Sequence, residues 1–258
     1  LDGFVEQWLY DRGHPELKVS ASHDKRLGVC TLKVEQTQDK KTNREVFCFD
    51  LDIDVLDSKG KAQRVTIPVN GRSSAYSFTC KSSPSAVVVD PDYSLLCSIS
   101  WTGKEAKAWL HQLAHAQGYL ARRRAITQLG KHLHKPAVTD ALLEVVRDAE
   151  EFFALRAHAA QTLAKAGKEI RHDLLQAMAG LHPRSLRSVL PALGPQADES
   201  TITYLRSMIE ESSSEYVVAA ALRGLASSRQ PEVRADLEKA LSRNGYRDLI
   251  RAAAASSL

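Results

Sequence analysis

Two histidines at i and i+4, in His111-Gln112-Leu113-Ala114-His115, lie on one face of a helix, the spacing at which two imidazoles share a metal ion. A zinc hydrolase built on such a pair needs Glu between the histidines as general base, and Gln112 cannot accept a proton. The third ligand of such a site, a Glu nineteen positions after the second histidine, is replaced by His134, which falls in a link between helices. The pair is therefore read as two histidines on the first helix of a helical region. Asp50, Asp52 and Asp54 mimic positions 1, 3 and 5 of a calcium loop, but that loop needs Gly at position 6 and Glu at position 12, where Val55 and Lys61 stand. Alternating carboxylates on the wet face of a strand, where they also discourage edge pairing, account for the pattern.

Cys30, Cys48, Cys80 and Cys97 all fall in the first 100 residues, without C-x-x-C or another tight zinc spacing, and are read as free thiols on strands. No G-x-S-x-G, G-x-x-x-x-G-K-[ST] or G-x-G-x-x-G occurs, so no catalytic, cofactor-binding or metal residue is assigned. The 258 residues are 43% apolar and 26% charged, a composition that folds into a soluble globular protein. Residues 1–101 carry 13 Lys/Arg against 14 Asp/Glu and residues 102–258 carry 22 against 17. The basic excess is scattered at helical spacing, which argues against nucleic acid as a partner. No apolar run is long enough to span a bilayer. The start Leu1-Asp2-Gly3 has neither Met nor a signal-like pattern, so the chain is expected to begin in mid-protein, and no compartment is assigned.

The elements that must position these residues change period once. From Leu17 to Trp101 apolar residues alternate: Cys30, Leu32 and Val34 in one strand, Phe47, Phe49, Leu51, Ile53 and Val55 in another. Asp57-Ser58-Lys59-Gly60 predicts a hairpin turn, and Asn70-Gly71 predicts a tight turn between Val65–Val69 and Tyr76–Cys80. Val87–Val89 and a last strand around Leu95–Ile99 complete about seven strands, an antiparallel sandwich. After Trp101 alanine-rich stretches recur, and Ala125, Ala157, Arg187, Ala219 and Ala252 as matched positions step by 32, 30, 32 and 33 residues. That is a solenoid period, with about five helix pairs. The expected class is mainly α with a β domain: an immunoglobulin-like β-sandwich over 17–101, then an α-solenoid of HEAT-like pairs over 102–258. The two halves should be separate cores joined near Trp101–Gly103.

The opening Leu1-Asp2-Gly3-Phe4-Val5-Glu6-Gln7-Trp8-Leu9-Tyr10, with Gly13-His14-Pro15, resembles the junction at which the catalytic domain of aminopeptidase N-like zinc peptidases, which are gluzincins, leads into a β-sandwich. Val34–Gln38, Asp57–Gly60 and Val88–Asp92 follow in that family's order. The resemblance implies a parent metallopeptidase, a hydrolase removing N-terminal residues from peptides, whose zinc motif and substrate-gripping phrase lie upstream. Residues 1–16 would then close the catalytic domain, and this chain, without cofactor of its own, would support that absent domain and restrict entry to its cleft. Trp8, Leu9 and Tyr10 are expected to pack against it. The same domain series occurs in a transcription-factor subunit related to these enzymes, so a protein-binding scaffold from a catalytically dead relative is the alternative.

Overall fold

The computed structural model describes residues 2–80 and 82–258; Leu1, where the junction motif begins, lies outside the described residues. The chain divides into two compact units, Leu1–Ala125 and Ile126–Leu258.

The first unit opens with a helical turn, α1 (Asp2–Val5), that widens into a π-helical turn over Glu6–Tyr10. Gln7 docks this turn, since its buried amide donates to the Cys48 carbonyl (2.9 Å) and accepts from the Cys48 N–H (2.7 Å). Among the described residues seven strands follow: β1 (Glu16–Asp24), β2 (Val29–Gln36), β3 (Phe49–Leu56), β4 (Ala62–Val69), β5 (Ser73–Thr79), β6 (Ala86–Val89) and β7 (Ser98–Trp101). They form a four-stranded sheet in the order β5-β2-β1-β7 and a three-stranded sheet in the order β4-β3-β6. Inward residues of both, among them Val19, Leu32 and Val34 from one and Leu51, Ile53 and Val89 from the other, make one core. This is the period-two alternation expressed as burial, at roughly 1.5–3 kcal/mol for each large aliphatic side chain.

Three expectations are corrected here. β7 runs parallel to β1, pairing Leu17 with Ile99, so the larger sheet is mixed rather than wholly antiparallel. Asn70-Gly71 does not close a hairpin: β4 pairs with β3 while β5 pairs with β2, neither residue takes a positive φ, and the segment carries the chain from one sheet to the other. A local dipeptide encourages a turn but does not choose the strand beyond it. Finally, β3 is the central strand of its sheet, and Asp54 is buried rather than wet. The Arg64 guanidinium on β4 grips Asp54 with two hydrogen bonds (2.5 and 2.9 Å) and lies 3.7 Å from Asp52, so these two carboxylates face a cation, while Asp50 is exposed as expected. The Asp57–Gly60 turn joins β3 and β4 as predicted, with the Asp57 carboxylate accepting from the N–H groups of Lys59 and Lys61 (2.8 and 2.9 Å).

Among the described residues ten further α-helices follow: α2 (Ala106–His115), α3 (Tyr119–Leu129), α4 (Pro136–Arg147), α5 (Phe153–Leu163), α6 (Arg171–Met178), α7 (Pro183–Leu193), α8 (Glu199–Glu211), α9 (Glu215–Ser228), α10 (Arg234–Ala240) and α11 (Leu249–Ala255). Proline opens α4 and α7, where its missing N–H costs nothing, and Asp198 caps α8 by accepting from the Thr201 N–H (2.9 Å). Within the second unit α5 packs on α7, α7 on α9 and α9 on α11, while α4 packs on α6 and α6 on α8. Small residues allow the closest of these approaches. A Cβ added at Gly224 would lie 2.7 Å from the Leu190 carbonyl oxygen, so only glycine fits where α9 meets α7. The protein is thus an α+β chain, about half helical.

Candidate functional site

His111 and His115 share one face of α2, with ring centres 4.4 Å apart. His111 Nε2 hydrogen-bonds the Asp57 carbonyl (2.7 Å), and His115 lies over Gly60, where a Cβ would meet its ring at 2.3 Å. Gly60 also holds φ +81, so the β3–β4 turn needs glycine twice over. Gln112, between the two, is buried and accepts from Lys104 (2.5 Å) while donating to the Ala121 carbonyl (2.8 Å). These residues do not fit a zinc site, because one imidazole nitrogen is spent on a backbone carbonyl and the intervening side chain is an occupied amide. His134 sits beside His132, ring centres 6.2 Å apart. Among the described residues, no three His, Cys, Asp or Glu side chains gather as a metal requires.

The structure instead brings together residues that the sequence reading passed over. A cleft of about 420 Å³ in the first unit is bordered by His23, Cys30, Ser85, Trp101, Lys104 and Glu105. β1 and β2 pair His23 directly opposite Cys30, which sets imidazole and thiol side by side on one face. Both His23 nitrogens are buried without a protein partner. Cys30 is no nucleophile, however: burial first, and then the neighbouring Cys80, pushes its thiol up to about 12, so no thiolate forms near neutrality. The four cysteines are free, with Cys30 and Cys80 buried and Cys48 exposed.

Lys104 is held at the start of α2. Its amine sits between the rings of Trp101 and Trp109, 4.5 and 3.8 Å from their centres, and donates to the Val87 carbonyl (2.6 Å) and to Gln112. Burial, and then the charge of Arg124, drives its pKa well below that of an ordinary lysine. A neutral lysine in a cleft is a candidate nucleophile, but this amine is engaged on both hydrogen bonds and enclosed by two indoles. Its geometry is that of a clamp between β6 and α2. Arg124 works alongside it, donating to the Val89 carbonyl (2.6 Å) and stacking on Tyr93. A W-x-x-K sequence, Trp101 to Lys104, with Trp109 one helical turn into α2, was the available signal.

Asp52, Asp54 and Asp92 converge on Arg64, which donates to Asp54 and to Asp92 (2.5 Å) and lies 3.7 Å from Asp52. Its hydrogen bonds to Asp54 first, and then to Asp92, raise the Arg64 pKa further. Three carboxylates around a guanidinium make a structural ion cluster in which Arg64 already occupies the place a bound cation would take.

In the second unit, a groove of about 380 Å³ between α7 and α9 is lined by Arg184, Arg187 and Arg223, with Tyr216 and a floor of Ala219 and Ala220. The three arginines are exposed. No helix is long and apolar enough to cross a membrane among the described residues.

No family model matches this chain, and no curated protein matches it. Among solved structures, the aminopeptidase A of Legionella pneumophila, in complex with aspartic acid, is similar in fold, with a TM-score of 0.56 at 15% identity. The likeness covers 99% of this chain and 32% of that one, so the chain spans about a third of the aminopeptidase's length.

Proposed function

We propose that this chain is the non-catalytic C-terminal part of a zinc aminopeptidase, in which a junction over 1–16 leads to an immunoglobulin-like β-sandwich over 17–101 and a HEAT-like α-solenoid over 102–258. In this reading the chain holds no catalytic, metal or cofactor residue. Its partner is its own catalytic domain, which carries the zinc and cleaves N-terminal residues from peptides. The β-sandwich and solenoid support that domain and limit which peptides reach its cleft.

The observation that carries the reading is the fold likeness along 99% of this chain to a third of an aminopeptidase. The surface of the N-terminal turn supports it. Trp8, expected to face the catalytic domain, instead packs inward on Phe47 and Phe49, with ring centres 5.5 and 6.5 Å away, while Phe4, Leu9 and Tyr10 face outward at 62, 71 and 83% exposure. Large apolar side chains concentrated on one short turn are what a domain contact leaves uncovered.

The test compares this chain with the product of the reading frame extended upstream, on an aminoacyl-p-nitroanilide and for bound zinc. Activity and stoichiometric zinc in the longer product alone are expected. A longer product that is inactive and binds no zinc overturns the reading and leaves a protein-binding scaffold.

A further inference from the structure

We propose that the groove between α7 and α9 is a binding site for an acidic peptide segment, with Arg184, Arg187 and Arg223 as its carboxylate-binding groups. This goes beyond the aminopeptidase reading and does not depend on it.

The residues reach the groove by helical spacing. Arg184 and Arg187, three apart on α7, face the stripe Tyr216, Ala219, Ala220 and Arg223 on α9, at i, i+3, i+4 and i+7. Three like charges on one cleft repel each other, whereas several other arginines of this unit are paired. Arg206 binds Asp236 (2.9 Å), Arg234 binds Glu238 (2.8 Å) and Arg251 binds Asp248. Among the described residues, no carboxylate forms an ion pair with Arg184, Arg187 or Arg223. The nearest acid in sequence, Glu215, is turned away, accepting from the Tyr246 N–H (2.7 Å). The guanidiniums therefore keep their donors for a ligand, and the anion that relieves their repulsion must come from outside.

The chemistry favours carboxylates on a peptide. Guanidinium forks bind carboxylate by paired hydrogen bonds. The guanidinium carbon of Arg187 lies over the Tyr216 ring, 4.4 Å from its centre, which holds the fork in place before a ligand arrives. The alanine floor lets an extended backbone come close to the helices. A nucleic acid would need a longer basic track and a row of stacking rings, whereas this groove offers three cations and one ring.

Fluorescence anisotropy with a labelled hexaglutamate peptide and the whole 258-residue chain tests the site. Saturable binding is expected, weakened by roughly tenfold when salt rises from about 20 mM to about 300 mM. The double variant R187Q/R223Q should lose roughly tenfold or more in affinity while melting at the same temperature, and R234Q, an exposed arginine on α10, should bind as the parent does. Equal affinity in the double variant overturns the proposal, as does equal binding of hexalysine. Tighter binding of a uridylate hexamer than of hexaglutamate also overturns it, in favour of a nucleic-acid site. None of these outcomes bears on peptidase activity, so failure here leaves the aminopeptidase reading standing.

Discussion

In the strand unit, backbone groups that the sheets leave over are met by long side chains reaching across the fold; in the helical unit they are met by side chains about one repeat away. Gln36 donates to the carbonyls of Phe47 (2.8 Å) and Gly71 (3.1 Å) and accepts from the Phe47 N–H (2.9 Å), so one buried amide ties β2 to two loops. Gln38 extends the network by donating to Gln36 (3.1 Å). By contrast, the buried Arg156 on α5 donates to Val146 at the end of α4 (2.9 Å) and to Gly180 just after α6 (3.1 Å). Ser185 reaches Phe153, Gln230 reaches Ala197 and Arg243 reaches Ile209, separations of 32, 33 and 34 residues that match the sequence period. One unit depends on a few hubs, the other on many equivalent neighbours.

The sharpest way to break this comparison is Gln36→Ala. It strands the Phe47 N–H and two carbonyls and removes the partner of Gln38, so the strand unit should lose about 4 kcal/mol, at roughly 1–3 kcal/mol for each buried group left unpaired. Urea unfolding followed by tryptophan fluorescence reads this directly, because Trp8, Trp101 and Trp109 all belong to the first unit. A loss under about 1 kcal/mol would show that water replaces the amide and that Gln36 is no hub.

Gly224→Ala probes the other side. At an exposed helical position the change would stabilise by about 1 kcal/mol through propensity alone. Here the new methyl meets the Leu190 carbonyl oxygen at 2.7 Å and Leu205 at 3.0 Å, so α9 must move off α7 at a cost of about 2 kcal/mol. Circular dichroism at 222 nm during urea unfolding measures the sign. A stabilised variant would mean that neighbouring helices slide to accommodate it and that close approach does not fix the stack.

The same contrast explains what the sequence made legible. Periodicity reports which face of an element is buried, and it placed the strands β2 to β6 and the alternation of helices because burial in both units follows the local period, while the last strand, expected around Leu95–Ile99, lies at Ser98–Trp101. The change of period at Trp101 coincides with the end of β7, but the compact units divide between Ala125 and Ile126 rather than near Trp101–Gly103, because Ala108, Ala116 and Ala121 pack against Leu56, Ala86 and Val88 of the strands. Partner choice is a tertiary property, so the parallel β1–β7 pairing and the crossing at Asn70-Gly71 had no local signal. Asp54 looked like its neighbours Asp50 and Asp52 until Arg64 arrived across β4. His111 and His115 were placed on one helical face correctly, but what occupies them is a turn more than fifty residues away. The arginine groove escaped notice because its members come from two helices and look, one by one, like ordinary solvated charges.

The smallest expected effect falls on Lys104, where burial and hydrogen bonding compete. A lysine whose folded pKa is depressed binds fewer protons folded than unfolded, so stability rises with pH from that depressed value up to the ordinary lysine value of about 10.4. Below the depressed value the buried ammonium costs stability, offset in part by the Val87 and Gln112 oxygens and by the faces of two indoles. Melting temperatures of the parent chain and Lys104→Met, taken between about pH 7 and about pH 10.5, isolate this group because every other titration is common to both. The parent should gain stability relative to the variant steadily as the pH rises across that window. A constant difference would mean that the indoles and carbonyls hold the ammonium charged throughout, making Lys104 a satisfied cation; the clamp between β6 and α2 would then be a cation–π cage rather than a neutral hydrogen-bonded amine.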